Sequence, residues 1–232
     1  MGLNVLFQGK SGSGKSSILR NMPRDKVALF NVAGKPLPFP GKFEMMCTTS
    51  DVDAIIQSLT RNVTNCYVID DSQYLMSFKL IDKWQETGYG KYTEIARDWK
   101  RLIDTIVYKT SQDTIVYFLH HTEQLDDGSV KAKTCGKMID NWLTLEGLFS
   151  IVLMTVATDN KHLVVTQSDG FNTCKSPIGM FDNPIDNDLL MIDTKIREYY
   201  ELSPLGLRPK QEKKDEKLSK ATMTKVDKVP EV

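Results

Sequence analysis

Apolar and polar positions along residues 1–203 alternate in blocks that predict strands and helices in turn. Short apolar runs that end at glycine or at polar residues predict strands at 3–8, 27–31, 43–47, 66–70, 114–120, 150–158 and 162–168. Apolar residues spaced three and four apart predict helices at 15–21, 72–86, 91–109 and 187–200. A further helix is predicted to begin after Ser50, which would cap it, with Asp51 and Asp53 in the first turn.

This order of elements predicts an α/β fold with a mostly parallel central sheet flanked by helices. The last two predicted strands, 150–158 and 162–168, lie on either side of a short polar turn. They predict an antiparallel hairpin near the C-terminal end of the sheet.

Composition places the chain among globular proteins and limits the classes of partner that it is expected to bind. The 232 residues are 41% hydrophobic and 26% charged, with 30 basic and 30 acidic residues. The whole-chain charge therefore predicts no nucleic-acid partner, although a local basic patch could still bind one. No apolar run is long enough to cross a bilayer, and no secretory signal is evident. Four widely spaced cysteines predict reduced thiols and a cytoplasmic location.

The composition changes at the C-terminal end. Residues 208–232 contain eight Lys or Arg and five Asp or Glu, without any aromatic residue. Such a segment buries too little apolar surface to order itself. We therefore expect one domain at 1–203 and a charged, disordered tail at 204–232.

A phosphate-binding loop is the strongest motif in the chain. Residues 9–16, GKSGSGKS, match G-x-x-x-x-G-K-[ST] at every fixed position, after a predicted strand and before a predicted helix. Glycines let several backbone N–H groups face phosphate oxygens, Lys15 is expected to reach the β- and γ-phosphates, and Ser16 to bind Mg²⁺. The predicted nucleotide-binding residues are Gly9, Ser11, Gly12, Ser13, Gly14, Lys15, Ser16 and Ser17.

An acidic pair follows the predicted strand at 66–70. Asp70 and Asp71 end this apolar run in the Walker B pattern, so Asp70 is the predicted Mg²⁺ residue and Asp71 the carboxylate that orients the attacking water. Glutamate is usual at the second position, and Asp71 is one methylene shorter. Asp71 could instead cap a helix near Ser72, and Glu123 is the other candidate for the water-orienting role.

Two histidines lie at the end of the strand predicted at 114–120. His120 or His121 would lie near the γ-phosphate, because ligands of parallel sheets bind beyond the carboxyl ends of the strands. We take His120 as the candidate sensor of the phosphate. A structural role is the alternative, and zinc binding by His120, His121 and His162 is a third.

The phosphate loop, the acidic strand end and the polar strand end occur in the order seen in RecA-like and AAA-type P-loop NTPases, which the chain resembles. It resembles more closely a family of small phage ATP-binding proteins that includes RecA-like single-strand annealing proteins. The segments that carry this resemblance are 31–39, 88–92, 130–134 and 175–182. The resemblance implies a RecA-like fold, ATP and Mg²⁺ as ligands, single-stranded DNA as partner and a homo-oligomer, ring or filament, in the host cytoplasm. A single-strand DNA-binding protein is a further candidate partner.

Lys131 and Lys133 form a Lys-x-Lys pair like the one that RecA-like filaments direct at the γ-phosphate of the neighbouring subunit. The turn at 126–129 predicts a hairpin arm that presents both lysines on one face. If they act in this way, both are catalytic residues supplied by a second copy. An exposed basic loop is the alternative, and Lys137 and the tail are further candidates for contacts with DNA.

Three functions fit these motifs. The first is a Mg²⁺-dependent ATPase that acts on single-stranded DNA in phage recombination or replication, with slow turnover that oligomerisation or DNA stimulates. The second is a nucleotide-gated binding or loading module with little turnover. The third is a nucleoside-type kinase, which is disfavoured because residues 123–140 contain lysines but no arginine for a phosphate-covering lid.

Overall fold

The structure, a computed structural model, describes residues 1–208 apart from Trp142 and Asn160, so most of the predicted tail, 209–232, lies outside the described residues. The strands of the described part are β1 Leu3–Gly9, β2 Ala28–Asn31, β3 Met45–Cys47, β4 Cys66–Asp70, β5 Ile115–Gln124, β6 Val130–Ala132, β7 Ile151–Thr158, β8 Lys161–Val165 and β9 Ile185–Asp186. The α-helices are α1 Val52–Arg61, α2 Tyr74–Asp82, α3 Gly90–Lys109, α4 Lys137–Asp140 and α5 Leu189–Tyr199. Two 3₁₀ helices span Ser16–Asn21 and Leu145–Leu148.

The strands form one mixed sheet in the order β3-β2-β4-β5-β1-β7-β8-β9. The first six strands of this order are parallel, whereas β8 and β9 run antiparallel and β6 pairs antiparallel with the end of β5. The predicted α/β class with a mostly parallel sheet and the predicted hairpin of β7 and β8 are therefore confirmed. No helix in the described part of the chain is both long and apolar enough to cross a bilayer.

Alternating side chains of the buried strands supply two apolar layers. Leu6 of β1 packs on the face that α1, α2 and α3 cover, whereas Val5 and Phe7 pack on the opposite face with the first 3₁₀ helix and α5. A strand with a helix layer on each face has no polar side, which explains why β1 and β4 read as continuous apolar runs.

The register of the parallel strands brings their carboxyl ends to one edge of the sheet. Gly9 at the end of β1 lies opposite His121 of β5, and Asn31 at the end of β2 lies opposite Asp70 of β4. The predicted phosphate loop and the acidic pair therefore lie at the same edge, where ligands of open α/β sheets bind.

Several element boundaries differ from those predicted. The helix expected at 15–21 is a 3₁₀ helix, and it ends because Pro23 forces Met22 into an extended conformation. Asp51, not Ser50, caps α1 by accepting a hydrogen bond from the Asp53 N–H. The helix expected at 72–86 begins only at Tyr74 and ends at Asp82.

The first residues of the predicted tail pack on the domain. Asn65 binds the Pro204 carbonyl oxygen at 2.8 Å and accepts a hydrogen bond from the Gly206 N–H at 2.9 Å. Leu207 forms a bridge with Thr64, and Arg208 pairs with Asp113. Residues 204–208 therefore continue the domain at the amino-end edge of the sheet.

Candidate functional site

A cleft of about 280 Å³ opens at the carboxyl ends of the parallel strands. Three segments surround it: the loop after β1, the acidic end of β4 and the proline-rich loop after β2. His121 of β5 and His162 of β8 complete the wall. The lining residues are Ser11, Gly12, Gly14, Lys15, Ser16, Ser17, Lys35, Pro36, Pro38, Asp70, Asp71, His121 and His162.

The shape of the loop after β1 depends on its glycines and on contacts from Asn187 and His162. Gly14 has φ +99°, and a Cβ there would lie 2.7 Å from the Asn187 Nδ2 atom. Asn187 donates a hydrogen bond of 3.0 Å to the Gly14 carbonyl oxygen, and the His162 ring lies 3.1 Å from the Ser13 carbonyl oxygen. The chain segments around β8 and α5 therefore hold the loop in place.

Two of the predicted nucleotide-binding residues do not line the cleft. A Cβ on Gly9 would lie 2.3 Å from the Thr155 Oγ1 atom, so close packing excludes any side chain there. The Ser13 hydroxyl is buried and lies 2.6 Å from the same Thr155 hydroxyl. Both residues hold the base of the loop against β7, while the other six predicted residues line the cleft.

Lys15 lies at the bottom of the cleft. Its ammonium group donates hydrogen bonds of 2.9 Å to the carbonyl oxygens of Gly9 and Lys10, and the residue is only 6% exposed. Burial lowers the pKa of Lys15 to about 8, although the charges of Asp71 and Asp70 oppose this effect. A buried cation whose hydrogen bonds go to neutral carbonyl oxygens is in this way available to an anion that enters the loop.

Ser16 and Asp70 meet at the mouth of the loop. The Ser16 hydroxyl donates a hydrogen bond of 2.9 Å to the Asp70 Oδ1 atom. Burial, with a further contribution from the neighbouring Asp71, raises the pKa of Asp70 to about 6. A hydroxyl and one carboxylate are oxygen donors suited to Mg²⁺, which takes its remaining ligands from phosphates and water. The residues present therefore fit the predicted ion.

Zinc does not fit the same region. Within the part of the chain that the structure describes, no group of three or more His, Cys, Asp or Glu side chains is arranged to bind a metal ion. The alternative of a zinc site at His120, His121 and His162 is therefore wrong, because these side chains make hydrogen bonds to separate groups.

Asp71 is clamped between two basic side chains. Its Oδ2 atom lies 2.8 Å from the Lys35 ammonium group, and its Oδ1 atom lies 3.1 Å from the His121 Nε2 atom. Burial alone would raise the pKa of Asp71, but the hydrogen bond from His121 and the ion pair with Lys35 lower it to about 2. The α2 helix has no side-chain cap, so Asp71 does not cap it. Asp71 is thus a paired anion rather than a free base.

The two adjacent histidines have different surroundings. His120 is fully buried, does not line the cleft, and bonds to the Ser72 hydroxyl at 2.9 Å and the Lys133 carbonyl oxygen at 2.8 Å. His121 lines the cleft and bonds to Asp71. The alternation of side chains along β5 separates the two, and His121 is the one of this pair that lines the cleft.

The remaining predicted catalytic residues lie away from the cleft. Glu123 and Lys131 are opposite each other in the hairpin of β5 and β6 and form an ion pair of 3.1 Å. Lys131 also pairs with Asp140 at 2.7 Å. Lys133 is exposed. The predicted hairpin arm is present, but the first of its two lysines is bound within its own chain.

Lys35 and Asn187 contribute to the site without having been predicted from sequence. Lys35 lies in a segment, 31–39, that the resemblance marked out but to which no chemistry could be given. Asn187 lies 173 positions from the glycine that it contacts. A motif search finds neither, because each acts through a contact between distant parts of the chain.

No family model matches this chain, and no curated protein matches its sequence. The cleft geometry and the sequence motifs therefore carry the functional conclusion.

Proposed function

We propose that this chain is a Mg²⁺-dependent ATP-binding protein and ATPase of the RecA-like P-loop type, acting on single-stranded DNA in phage recombination or replication. The observation that carries the proposal is the 2.9 Å contact between Ser16 and Asp70 in the cleft that the buried Lys15 also lines. A hydroxyl, a carboxylate and a lysine from two strand ends are the groups that a Mg²⁺–triphosphate complex requires. The choice of ATP follows the resemblance, and the cytoplasmic location follows the resemblance and the four widely spaced cysteines.

Each group has a distinct task in this proposal. The backbone N–H groups of the loop and the Lys15 ammonium bind phosphate oxygens, which replace the carbonyl oxygens of Gly9 and Lys10 as acceptors. Ser16 and Asp70 would hold Mg²⁺. Bound there, the ion would neutralise charge on the β- and γ-phosphates.

Hydrolysis is expected to be slow in the isolated protein. Asp70 and Asp71 are the carboxylates among the described lining residues. Asp71 is paired with Lys35 and His121, and its low pKa makes it a poor acceptor of a proton from water. Glu123 is paired with Lys131. This pairing also favours the second candidate function, a nucleotide-gated module with little turnover.

The proposed DNA and oligomer functions rest mainly on the resemblance. Lys133 and Lys137 are exposed and available to a phosphate backbone or to a neighbouring subunit. Lys131 would first have to leave Glu123 and Asp140. We therefore expect Lys133 to contribute more than Lys131 in a ring or filament. A single-strand DNA-binding protein remains a candidate partner.

A nucleoside-type kinase is favoured by one further observation. A groove of about 540 Å³ borders the outer side of the loop at Ser11 and Gly12, between β6 and β7. This volume suits a small-molecule acceptor beside the loop. Transfer of phosphate from ATP to a nucleoside would identify the kinase, whereas release of inorganic phosphate alone identifies the ATPase.

The proposal is tested by comparing Lys15→Ala with Lys10→Ala. Lys15 is buried in the loop, whereas Lys10 is exposed and bonds to Gln124. Loss of the Lys15 ammonium should weaken Mg²⁺–ATP binding by about 10- to 100-fold, and Lys10→Ala should leave it nearly unchanged. Isothermal titration calorimetry measures both affinities.

Equal affinity of the two variants, or no binding by the wild-type protein, would refute the nucleotide site. Phosphate release measured with and without single-stranded DNA, over a range of protein concentrations, separates the two main candidates. Stimulation supports a DNA-linked oligomeric ATPase. A rate that stays near zero under all conditions supports the gated module.

A further inference from the structure

The loop after β2 places one lysine over the phosphate cleft. Gly34, with φ +67°, turns the chain, and Asn31 donates a hydrogen bond of 2.6 Å to the Lys35 carbonyl oxygen. The Val32 N–H donates to the Asp70 carbonyl oxygen at 3.2 Å, which joins the start of the loop to the end of β4. The backbone of Lys35 is therefore fixed relative to the acidic pair.

The Lys35 ammonium group is held at the rim of the cleft by groups of the same chain. It lies 2.8 Å from the Asp71 Oδ2 atom and 5.1 Å from the centre of the Tyr74 ring. The side chain remains 58% exposed, so it is free to change partners. His121 holds the other oxygen of Asp71. One carboxylate thus fixes a lysine and a histidine beside the same cleft.

We propose that Lys35 is a second phosphate-binding cation that acts in its own chain, with Asp71 occupying the place of the terminal phosphate until nucleotide binds. Carboxylate and phosphate oxygens accept the same charge-assisted hydrogen bond from an ammonium group. Lys35 would exchange one for the other when a nucleoside triphosphate enters. This inference rests on the proposed function, since it presupposes a nucleotide in the cleft.

The position of Asp70 indicates which phosphate Lys35 would contact. Ser16 and Asp70 would hold Mg²⁺, whose charge would stabilise the terminal phosphates. Asp71, the residue after Asp70, and its partner Lys35 line the same cleft. Lys35 is therefore expected to bind the terminal phosphate, which ADP lacks.

The charges of the cleft support an exchange of partners. Lys15 and Lys35 together balance Asp70 and Asp71, so the cleft without nucleotide is close to neutral. A triphosphate brings several negative charges into the cleft. Its phosphate oxygens would then compete with the Asp71 carboxylate for the Lys35 ammonium group. His121 remains as a partner for Asp71 after Lys35 leaves. The Asp71 carboxylate therefore keeps one hydrogen bond after the exchange.

The test measures the affinities for Mg²⁺–ATP and Mg²⁺–ADP of the wild type, Lys35→Ala, Lys35→Arg and Lys42→Ala. Lys42 is an exposed lysine of the same loop and serves as the matched control. Lys35→Ala should weaken ATP binding by about 10- to 100-fold and ADP binding by less than about threefold. Lys35→Arg should retain most of the difference in affinity between Mg²⁺–ATP and Mg²⁺–ADP. Lys42→Ala should retain all of this difference.

Two results would overturn the inference. Equal losses for ATP and ADP in Lys35→Ala would mean that the lysine only supports the shape of the loop. Unchanged ATP affinity in that variant would mean that Lys35 does not contact phosphate. Both results differ from failure of the proposed function, in which the wild type binds neither nucleotide or Lys15→Ala binds as well as the wild type.

Discussion

At the scale of single residues, His120 shows that a polar residue beside the candidate site can have a structural role. The ring is fully buried against Trp99, with centroids 5.6 Å apart, and both nitrogens have partners. Burial lowers the pKa of His120 to about 4 from an ordinary value of 6.5. His120 is therefore neutral in the folded protein at physiological pH.

This burial predicts a loss of stability in mild acid. Below pH 6.5 the unfolded chain binds a proton at His120 that the folded protein refuses until about pH 4, so stability falls across that window. The loss should reach roughly 3 kcal/mol at pH 4. Urea unfolding from pH 7 to 4 measures it, and His120→Gln should remove this component. An identical pH dependence in the variant would contradict the assignment.

The sequence predicted the chemistry of single residues only where a motif fixed it. The spacing of the loop glycines pointed to Lys15 and Ser16 and an apolar run pointed to Asp70, and the structure brings all three into one cleft. The choice between His120 and His121 depended on which face of β5 meets the loop. That face is decided by the register with β1, which no local pattern contains.

At the scale of elements, α5 is joined to the sheet by a buried ion pair. Arg197 lies 2.7 Å from Asp193, and both side chains are at least 95% buried. The guanidinium also donates to the carbonyl oxygens of Asn65, Asp113 and Ser203. Asn187, which holds the loop after β1, lies just before this helix, so the helix is fixed at its other end to the amino-end edge of the sheet.

Removal of this arginine should be costly. Arg197→Ala leaves Asp193 buried without its partner, so the free energy of unfolding should fall by about 3–5 kcal/mol. Arg101→Ala is the matched control, because Arg101 is 45% exposed, pairs with the exposed Asp53, and leaves its second partner, the buried Asp98, paired with Lys79. This change should cost at most about 1 kcal/mol. Urea denaturation of both variants measures the difference, and similar small effects would disprove the anchoring role.

Periodicity predicted the elements better than their ends. The strand at 66–70 and the helix at 91–109 were found within one residue of the prediction, since each carries a strong apolar pattern. The helix after the phosphate loop has six residues of 3₁₀ geometry because Pro23 stops it. The hairpin of β5 and β6 was predicted from its turn. The ion pairs of Lys131 with Glu123 and Asp140 form only in the folded chain, so the sequence pattern does not predict them.

At the scale of the whole molecule, the two edges of the sheet have different tasks. The carboxyl-end edge carries the cleft, whereas residues 203–208 close the amino-end edge through contacts with Thr64, Asn65 and Asp113. The change in composition at 203–204 predicted a boundary at this point. It could not reveal that the next five residues pack on the domain, because that packing depends on individual hydrogen bonds and an ion pair with distant residues.

Two truncated chains test the closing segment. Chains 1–208 and 1–202 both lack 209–232 and differ only in residues 203–208. The shorter chain should unfold at lower urea concentration, with a loss of about 2–5 kcal/mol, because several buried hydrogen bonds disappear. Its nucleotide affinity, measured in the folded state, should stay the same, since the cleft lies at the opposite edge. Equal unfolding midpoints would show that the segment does not stabilise the domain.

The backbone of Asp71 has a consequence for the choice of acid at this point of the chain. With φ +58°, the residue occupies the left-handed region, which admits Asn, Asp and Gly far more readily than longer side chains. Asn and Gly would satisfy the turn but bring no negative charge to Lys35. Glutamate would bring the charge but strain the turn. Of the two acids, only aspartate both fits the left-handed backbone and supplies the charge that pairs with Lys35. The shorter acid is therefore the one that this backbone geometry requires.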